Sequence, residues 1–312
     1  MENMFDDRQY EVIRFNEGRS LVLSGLECDM TRIQALRVLM AHQIYGISYN
    51  DMLCLTNTNR AQRQMQEQIR AVAGEVMDEL SVISFQSFCL KFLLENHLIP
   101  HDIGIVDEYD LQDALMEITD SKKSLPADAI NKILENSSYL FMRDNGFEQN
   151  LWEDKYDSEY IETAQKYAKY KEDYRLIDSE DILLLTYSAL NSDKRHLYKN
   201  ASFRWMQVDE TLGFNSLQLD VIDLLSANDC CSVMFWVNEQ QRLSSLASWR
   251  NEIFDDFRNN PENTFFDLSE SDSTSKPVQN MLVDYATCQL GVKCDSLPNR
   301  DIQISPDKSL VL

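Results

Sequence analysis

Short apolar runs alternate along this chain with longer segments of helical period. The runs at 21–23, 52–55, 81–83, 204–208 and 232–237 are short, nearly continuous in apolar residues and bounded by polar ones. That is the pattern of strands buried on both faces. Most are followed by segments with helical spacing, at 31–44, 60–72, 85–96 and 216–225. Strands alternating with helices of about 10 to 15 residues predict a parallel sheet with helices on both of its faces. The predicted class is α/β.

Between residues 100 and 176 this rhythm stops, and the sequence becomes acidic and helical in period. A helical insertion is expected there, within a sheet domain formed by residues 1–99 and 177–285. Residues 286–312 are expected to form a tail or the start of a second lobe. Inside the insertion Tyr156, Tyr160, Tyr167, Tyr170 and Tyr174 recur at helical spacing. Such a stripe serves either to pack one helix on another or to stack bases, and the packing role is the expectation. One more apolar pair, Phe265 and Phe266, precedes a polar turn at 269–275 and a helical segment at 278–288.

Charge changes this picture. The chain has 312 residues and a formal net charge of −23, which argues against a strong, unspecialised grip on nucleic acid, where lysine and arginine carry the affinity. The excess is densest at 101–180, with 20 acidic against 9 basic side chains. The seven cysteines have no CxxC spacing, and the four histidines do not cluster with them, so neither a disulfide framework nor a zinc site is predicted. Adjacent Cys230 and Cys231 lie beside the run at 232–237 and read as core. No apolar run approaches the roughly 20 residues that span a bilayer, and the first residues are acidic, so no membrane role and a cytoplasmic location are expected.

The chemistry begins between the first strand and the first long helix, where Ser24, Gly25, Leu26, Glu27, Cys28, Asp29, Met30 and Thr31 follow one another. A phosphate-binding loop needs glycines whose N–H groups wrap the phosphates, a lysine to neutralise them and a hydroxyl for magnesium. Here the hydroxyl is present at Thr31, while Asp29 and Met30 stand where glycine and lysine would be. Two like charges about 4 Å apart repel by about 4 kcal/mol at an effective dielectric near 20, so carboxylates in this loop oppose a triphosphate.

Further stretches stand in an order that resembles the N-terminal half of UvrD/Rep-type superfamily 1 DNA helicases, over roughly residues 5 to 285. Asp6, Asp7, Arg8 and Gln9 resemble the family's Q motif, and Gln9 matches the glutamine that reads adenine. The segment from Thr56 through Asn57, Thr58, Asn59 and Arg60 resembles a motif that touches single-stranded DNA; Ser84, Phe85, Gln86, Ser87 and Phe88 resemble a second one. Ile177 and Asp178 through Asp181 are similar to the aspartate-rich segment before the Walker B strand, and Asp209 with Glu210 closes that strand. The resemblance implies a RecA-like P-loop fold. It assigns magnesium to Asp209 and Thr31, activation of the attacking water to Glu210, a catalytic place beside them to Gln241, and nucleotide contacts to Gln9, Gly25, Asp29, Met30 and Thr31. Thr58, Asn59, Phe85, Gln86 and Ser87 become the DNA-binding candidates.

The departures fall on the catalytic positions. Besides the lysine replaced by Met30, the glutamine after the acidic pair is replaced by Leu212 and the next aspartate by Gly213. Ala247 stands where an arginine follows Gln241, and Ser271 to Thr274 replace a motif with a phosphate-contacting arginine. Phosphoryl transfer depends on positioned cations, and one arginine alone supplies 10³ to 10⁵ in rate, so loss of three predicts a silent site. The expectation is a helicase-like lobe without ATP hydrolysis and with no resident cofactor, acting through a protein partner and single-stranded DNA. Two alternatives stand beside it. One is an Mg-ATP-binding component of a genuine helicase whose second lobe lies elsewhere; the other is an acidic α/β interaction module. Asp29 is further expected to cap the helix from Met30 onward, its carboxylate standing where a phosphate would.

Overall fold

The structure is a computed structural model, and it describes residues 5–25, 29–73, 79–147, 156–226, 232–238 and 257–268. The first elements are α1 (Asp7–Arg14), β1 (Arg19–Ser24), α2 (Met30–Gln43), β2 (Met52–Thr56), α3 (Asn59–Ala73), β3 (Ser81–Ser84) and α4 (Phe85–Glu95). They are followed by β4 (Gly104–Ile105), α5 (Glu108–Ile118), α6 (Ala127–Asp144), α7 (Ile161–Tyr174), β5 (Leu176–Ile177) and α8 (Ser179–Leu190). The last are β6 (Trp205–Val208), α9 (Ser216–Ser226), β7 (Ser232–Asn238) and β8 (Asn263–Leu268). The chain divides into two compact units. The first holds residues up to Val82, Arg204–Gly213 and those from Asp229 on; the second holds Ile83–Phe203 and Phe214–Asn228.

The six-stranded sheet runs in the order β3-β2-β6-β7-β1-β8, and β1 is parallel to both neighbours, with Leu21 level with Phe235 and with Phe265. Every residue of β2 and of β6 is buried, as expected for strands covered on both faces. The alternating pattern of the sequence is thus an α/β fold with a parallel sheet flanked by helices. The strand at 263–268 extends the Phe265, Phe266 pair into a full neighbour of β1.

Around this sheet α2 is placed by what its buried face touches. Ala35, Val38 and Ala41 pack with Met52, Cys54, Met65, Ile69 and Trp205, whereas Ile33 joins Val12, Val22, Trp236 and Phe266. Each fully buried aliphatic side chain of this kind contributes about 1.5–3 kcal/mol. The same helix buries Arg37, whose Nε and Nη2 donate to the Val12 and Phe15 carbonyls at 3.2 and 2.7 Å. These are carbonyls at the C-terminal end of α1, where the helix leaves acceptors short of partners, and the Val12 carbonyl also accepts from the Phe15 N–H at 3.3 Å. The guanidinium also stands 4.9 Å from the Trp205 ring centroid, and burial lowers its pKa to about 9, so it stays charged at neutral pH.

The second unit is mostly helical. Ala114, Leu115, Ile130, Ile133, Leu140, Ala164 and Tyr167 form its core from α5, α6 and α7. Of the tyrosine stripe, Tyr167 is fully buried and Tyr160 and Tyr170 pack beside that core, while Tyr156 and Tyr174 are exposed. The ends of the helical segment are clipped by a two-residue parallel ladder, Gly104 with Leu176 and Ile105 with Ile177, which the helical expectation for 100–176 does not contain.

Directly after that ladder Asp178 caps α8 through a reciprocal capping box with Asp181. Lys171, buried on α7, reaches both carboxylates, at 2.8 Å to Asp178 and 2.6 Å to Asp181, and the Tyr167 hydroxyl donates to Asp178 at 3.0 Å. Burial pushes the Asp178 carboxyl up, yet Lys171 and the donors around it outweigh that and hold it below its usual value. Asp181, buried beside the charge of Asp178, is pushed up. Expectations for the segment 278–288, for Ser271 to Thr274, for Cys230 and Cys231, and for residues 286–312 lie outside the described residues.

Candidate nucleotide and nucleic-acid site

The first part of the site is where β1 meets α2. Ser24 and Gly25 are buried, and Asp29 is the N-cap of α2, its carboxylate accepting from the Arg32 N–H at 3.3 Å. A negative group is favoured here because helix N-termini carry partial positive charge and unpaired N–H groups. Met30, the first residue of the helix, does not point outward as a phosphate-binding lysine must. Its sulfur accepts from the Ser24 hydroxyl at 2.7 Å, and its side chain packs with the cluster around Val22, Ile33 and Trp236. Thr31 follows in the first turn, half-buried. Residues 26–28 lie outside the described residues.

The second part is the end of β6. Asp209 is buried, and one of its oxygens takes both the Gln34 amide at 3.0 Å and the Glu210 N–H at 2.9 Å. Burial pushes its pKa up to about 6, although those two donors work in the opposite direction. Gln34 belongs to α2 and is itself fully buried, with its carbonyl oxygen making no hydrogen bond among the described residues. Glu210 has φ +52°, the left-handed region that disfavours a residue with a Cβ, and its carboxylate accepts from the Thr58 hydroxyl at 3.1 Å. Thr58 also accepts from the Ala61 N–H at 3.2 Å and so starts α3. The two loops thus share one polar contact.

Just beyond, Gly213 lies under the side chain of Asn57. A Cβ at 213 would overlap the Asn57 amide, so glycine is what lets Asn57 sit there. Leu212, which the sequence reading expects in place of a glutamine, is buried in the apolar interior.

The remaining candidates are distributed between the units. Gln9 is buried on α1 and completes a capping box with Asp6, accepting from the Asp6 N–H at 3.2 Å. In the first unit Asn59 is exposed at the start of α3. In the second, Phe85 is buried and packs edge-on to Phe214 at 5.5 Å, while Gln86 and Ser87 are exposed on the first turn of α4. Gln241 lies outside the described residues. The sequence reading missed Gln34; its signal is a glutamine between apolar Ile33 and Ala35, on the face that Val38 and Ala41 continue into the core. Among the described residues no group of three or more His, Cys, Asp or Glu side chains is placed to hold a metal ion, and no helix is long and apolar enough to cross a membrane.

A parallel sheet with a helix springing from the end of β1 and an acidic pair ending β6 defines the P-loop class of α/β proteins. Within that class, the family model for the UvrD/REP helicase N-terminal domain matches residues 5–242, and the chain belongs to this family. It is similar to the ATP-dependent DNA helicase PcrA of Staphylococcus aureus, at 23% identity over 235 residues covering 72% of this chain and 32% of that protein. A probable DNA helicase II homolog of Mycoplasma pneumoniae is 23% identical over 293 residues, covering 85% of this chain and 40% of its own length. The PcrA of Leuconostoc citreum is 25% identical over 249 residues, 72% of this chain and 31% of that helicase. The chain spans about a third of the length of the PcrA relatives it matches.

Proposed function

We propose that this helicase N-terminal lobe no longer hydrolyses ATP and works as a cytoplasmic binding or regulatory module. The observation that carries this reading is Met30: the side chain at the lysine position is an uncharged thioether, half-buried, that accepts from the Ser24 hydroxyl and packs against the apolar cluster of Val22, Ile33 and Trp236. The neighbouring groups speak the same way. Asp29 puts a carboxylate on the helix N-terminus where a phosphate would bind, and one oxygen of the buried Asp209 carboxylate is taken by both Gln34 and the Glu210 N–H. The loop residues do not fit a triphosphate, since phosphate needs cations and free N–H donors. Single-stranded DNA, the substrate class implied by the names of the relatives, retains Thr58, Asn59, Gln86 and Ser87 as contacts, but the charge of −23 keeps its binding weak and salt-sensitive. A protein partner is the stronger interaction.

The competing reading, a subunit that binds ATP with cations supplied by another chain, draws on Asp209 and on the strained Glu210, because backbone strain concentrates at working sites. Calorimetric titration with Mg-ATP separates the two. The natural chain is expected to give no binding heat, and Asp29→Gly/Met30→Lys is expected to gain measurable binding. Binding by the natural chain overturns the module reading in favour of the ATP-binding subunit.

A further inference from the structure

The outward face of α1 carries Asp7, Tyr10, Glu11 and Arg14 at positions i, i+3, i+4 and i+7, opposite the face that buries Val12 and Ile13. Together with Phe15, Glu17 and Tyr45 these residues line a groove of roughly 820 Å³. Its wall is tied in place: the Tyr45 hydroxyl donates to the Arg14 carbonyl at 2.6 Å, and the Arg14 guanidinium stands 5.9 Å from the Tyr10 ring centroid. Asn16 also lines the groove, and its buried side-chain oxygen takes no hydrogen bond among the described residues. Beside it Ile44 and Tyr45 leave 66% and 46% of their surface open at the end of α2.

We propose that this groove is a docking site for a short lysine- or arginine-bearing segment of a partner protein. Charge complementarity selects the partner. Three carboxylates against one guanidinium attract a cation and repel a nucleic-acid strand. The tyrosine rings take the stem of a lysine or the plane of a guanidinium. Size argues for a segment over a single ion: the groove is open to solvent along its length, and its 820 Å³ leaves room for several side chains laid on the surface. The proposal rests on the reading of the lobe as a binding module and goes beyond it by naming the surface and the partner's chemistry.

The test is fluorescence anisotropy of the full chain with a labelled peptide alternating arginine and leucine, at low and raised salt. Glu11→Lys/Glu17→Lys is expected to weaken binding about tenfold more than Asp113→Lys/Glu117→Lys, which makes the same charge change on exposed positions of α5. Tyr45→Ala, which leaves the charge alone, is expected to weaken it about threefold. The proposal is overturned if the natural chain does not bind the peptide, if both charge reversals weaken it equally, if Tyr45→Ala changes nothing, or if a single-stranded oligonucleotide displaces the peptide. Heat from Mg-ATP in the same preparation would overturn the module reading alone and leave the anisotropy result standing.

Discussion

Two buried groups of carboxylates in this protein meet opposite surroundings. Around Asp178 and Asp181 a single lysine, Lys171, sits at hydrogen-bond distance from both, and the Tyr167 hydroxyl adds a further donor. Around Asp209 the described residues provide an amide and a backbone N–H but no cation, and a second carboxylate, Glu210, follows directly. The consequences diverge. Asp178 is held below its usual pKa despite burial, whereas Asp209 is pushed up to about 6. The difference teaches that burial alone does not decide the charge of a carboxylate: Lys171 and the donors around Asp178 outweigh it there, while Asp181, beside the same lysine, is pushed up by burial and by its neighbour's charge. The Lys171 cluster belongs to the second unit, while Asp209 lies at the end of β6 in the first, with no cation among its described partners.

The contrast can be broken most forcefully at its compensated end. Lys171→Met removes the one cation that, among the described residues, pairs with both buried carboxylates, and a loss of about 3–5 kcal/mol in urea unfolding is expected. A loss under about 1 kcal/mol would show that the carboxyls neutralise themselves without it.

At the uncompensated end the opposite sign is expected. A carboxyl whose pKa is raised from 3.8 to about 6 on folding favours the folded state fully below pH 3.8, loses that contribution as pH rises to about 6, and adds nothing more above it. Asp209→Asn keeps the acceptor for Gln34 and removes the buried charge. Thermal unfolding at pH 8 should therefore show a gain of about 2–3 kcal/mol that fades as the pH approaches 4. A loss of stability at pH 8 would mean that Asp209 is compensated after all.

The smallest effect sharpens the comparison at its neighbour. Glu210→Gly relieves a left-handed backbone and gives up the Thr58 contact, so a net gain of no more than about 1 kcal/mol is expected from melting curves. A clear loss would show that the Thr58 bond, not the strain, dominates at this position.

Much of the sheet was legible because its signal is local. The runs at 52–55 and 232–237 are apolar but for Ser232, as befits strands buried on both faces, and they emerge as β2 and β7 within a residue or so. The ladder of β4 and β5 was not legible, since two residues on each side carry no periodicity. In the candidate site the acidic pair and the capping aspartate could be read from their places beside a strand and a helix. The contact of Gln34 with Asp209 could not, because 175 residues separate the partners and a glutamine in a helix reads as surface. Arg37 is similar: one arginine amid helical spacing gives no sign that its guanidinium ends buried on the carbonyls of α1.

The placement of Asn57 over Gly213 has a historical consequence. A side chain gained at 213 would meet the Asn57 amide and have to push it aside, whereas Asn57 is exposed and can be shortened without leaving an internal gap. The two positions are therefore ordered. A change at 57 clears the way for one at 213, and a lineage taking the steps in the reverse order works against a collision.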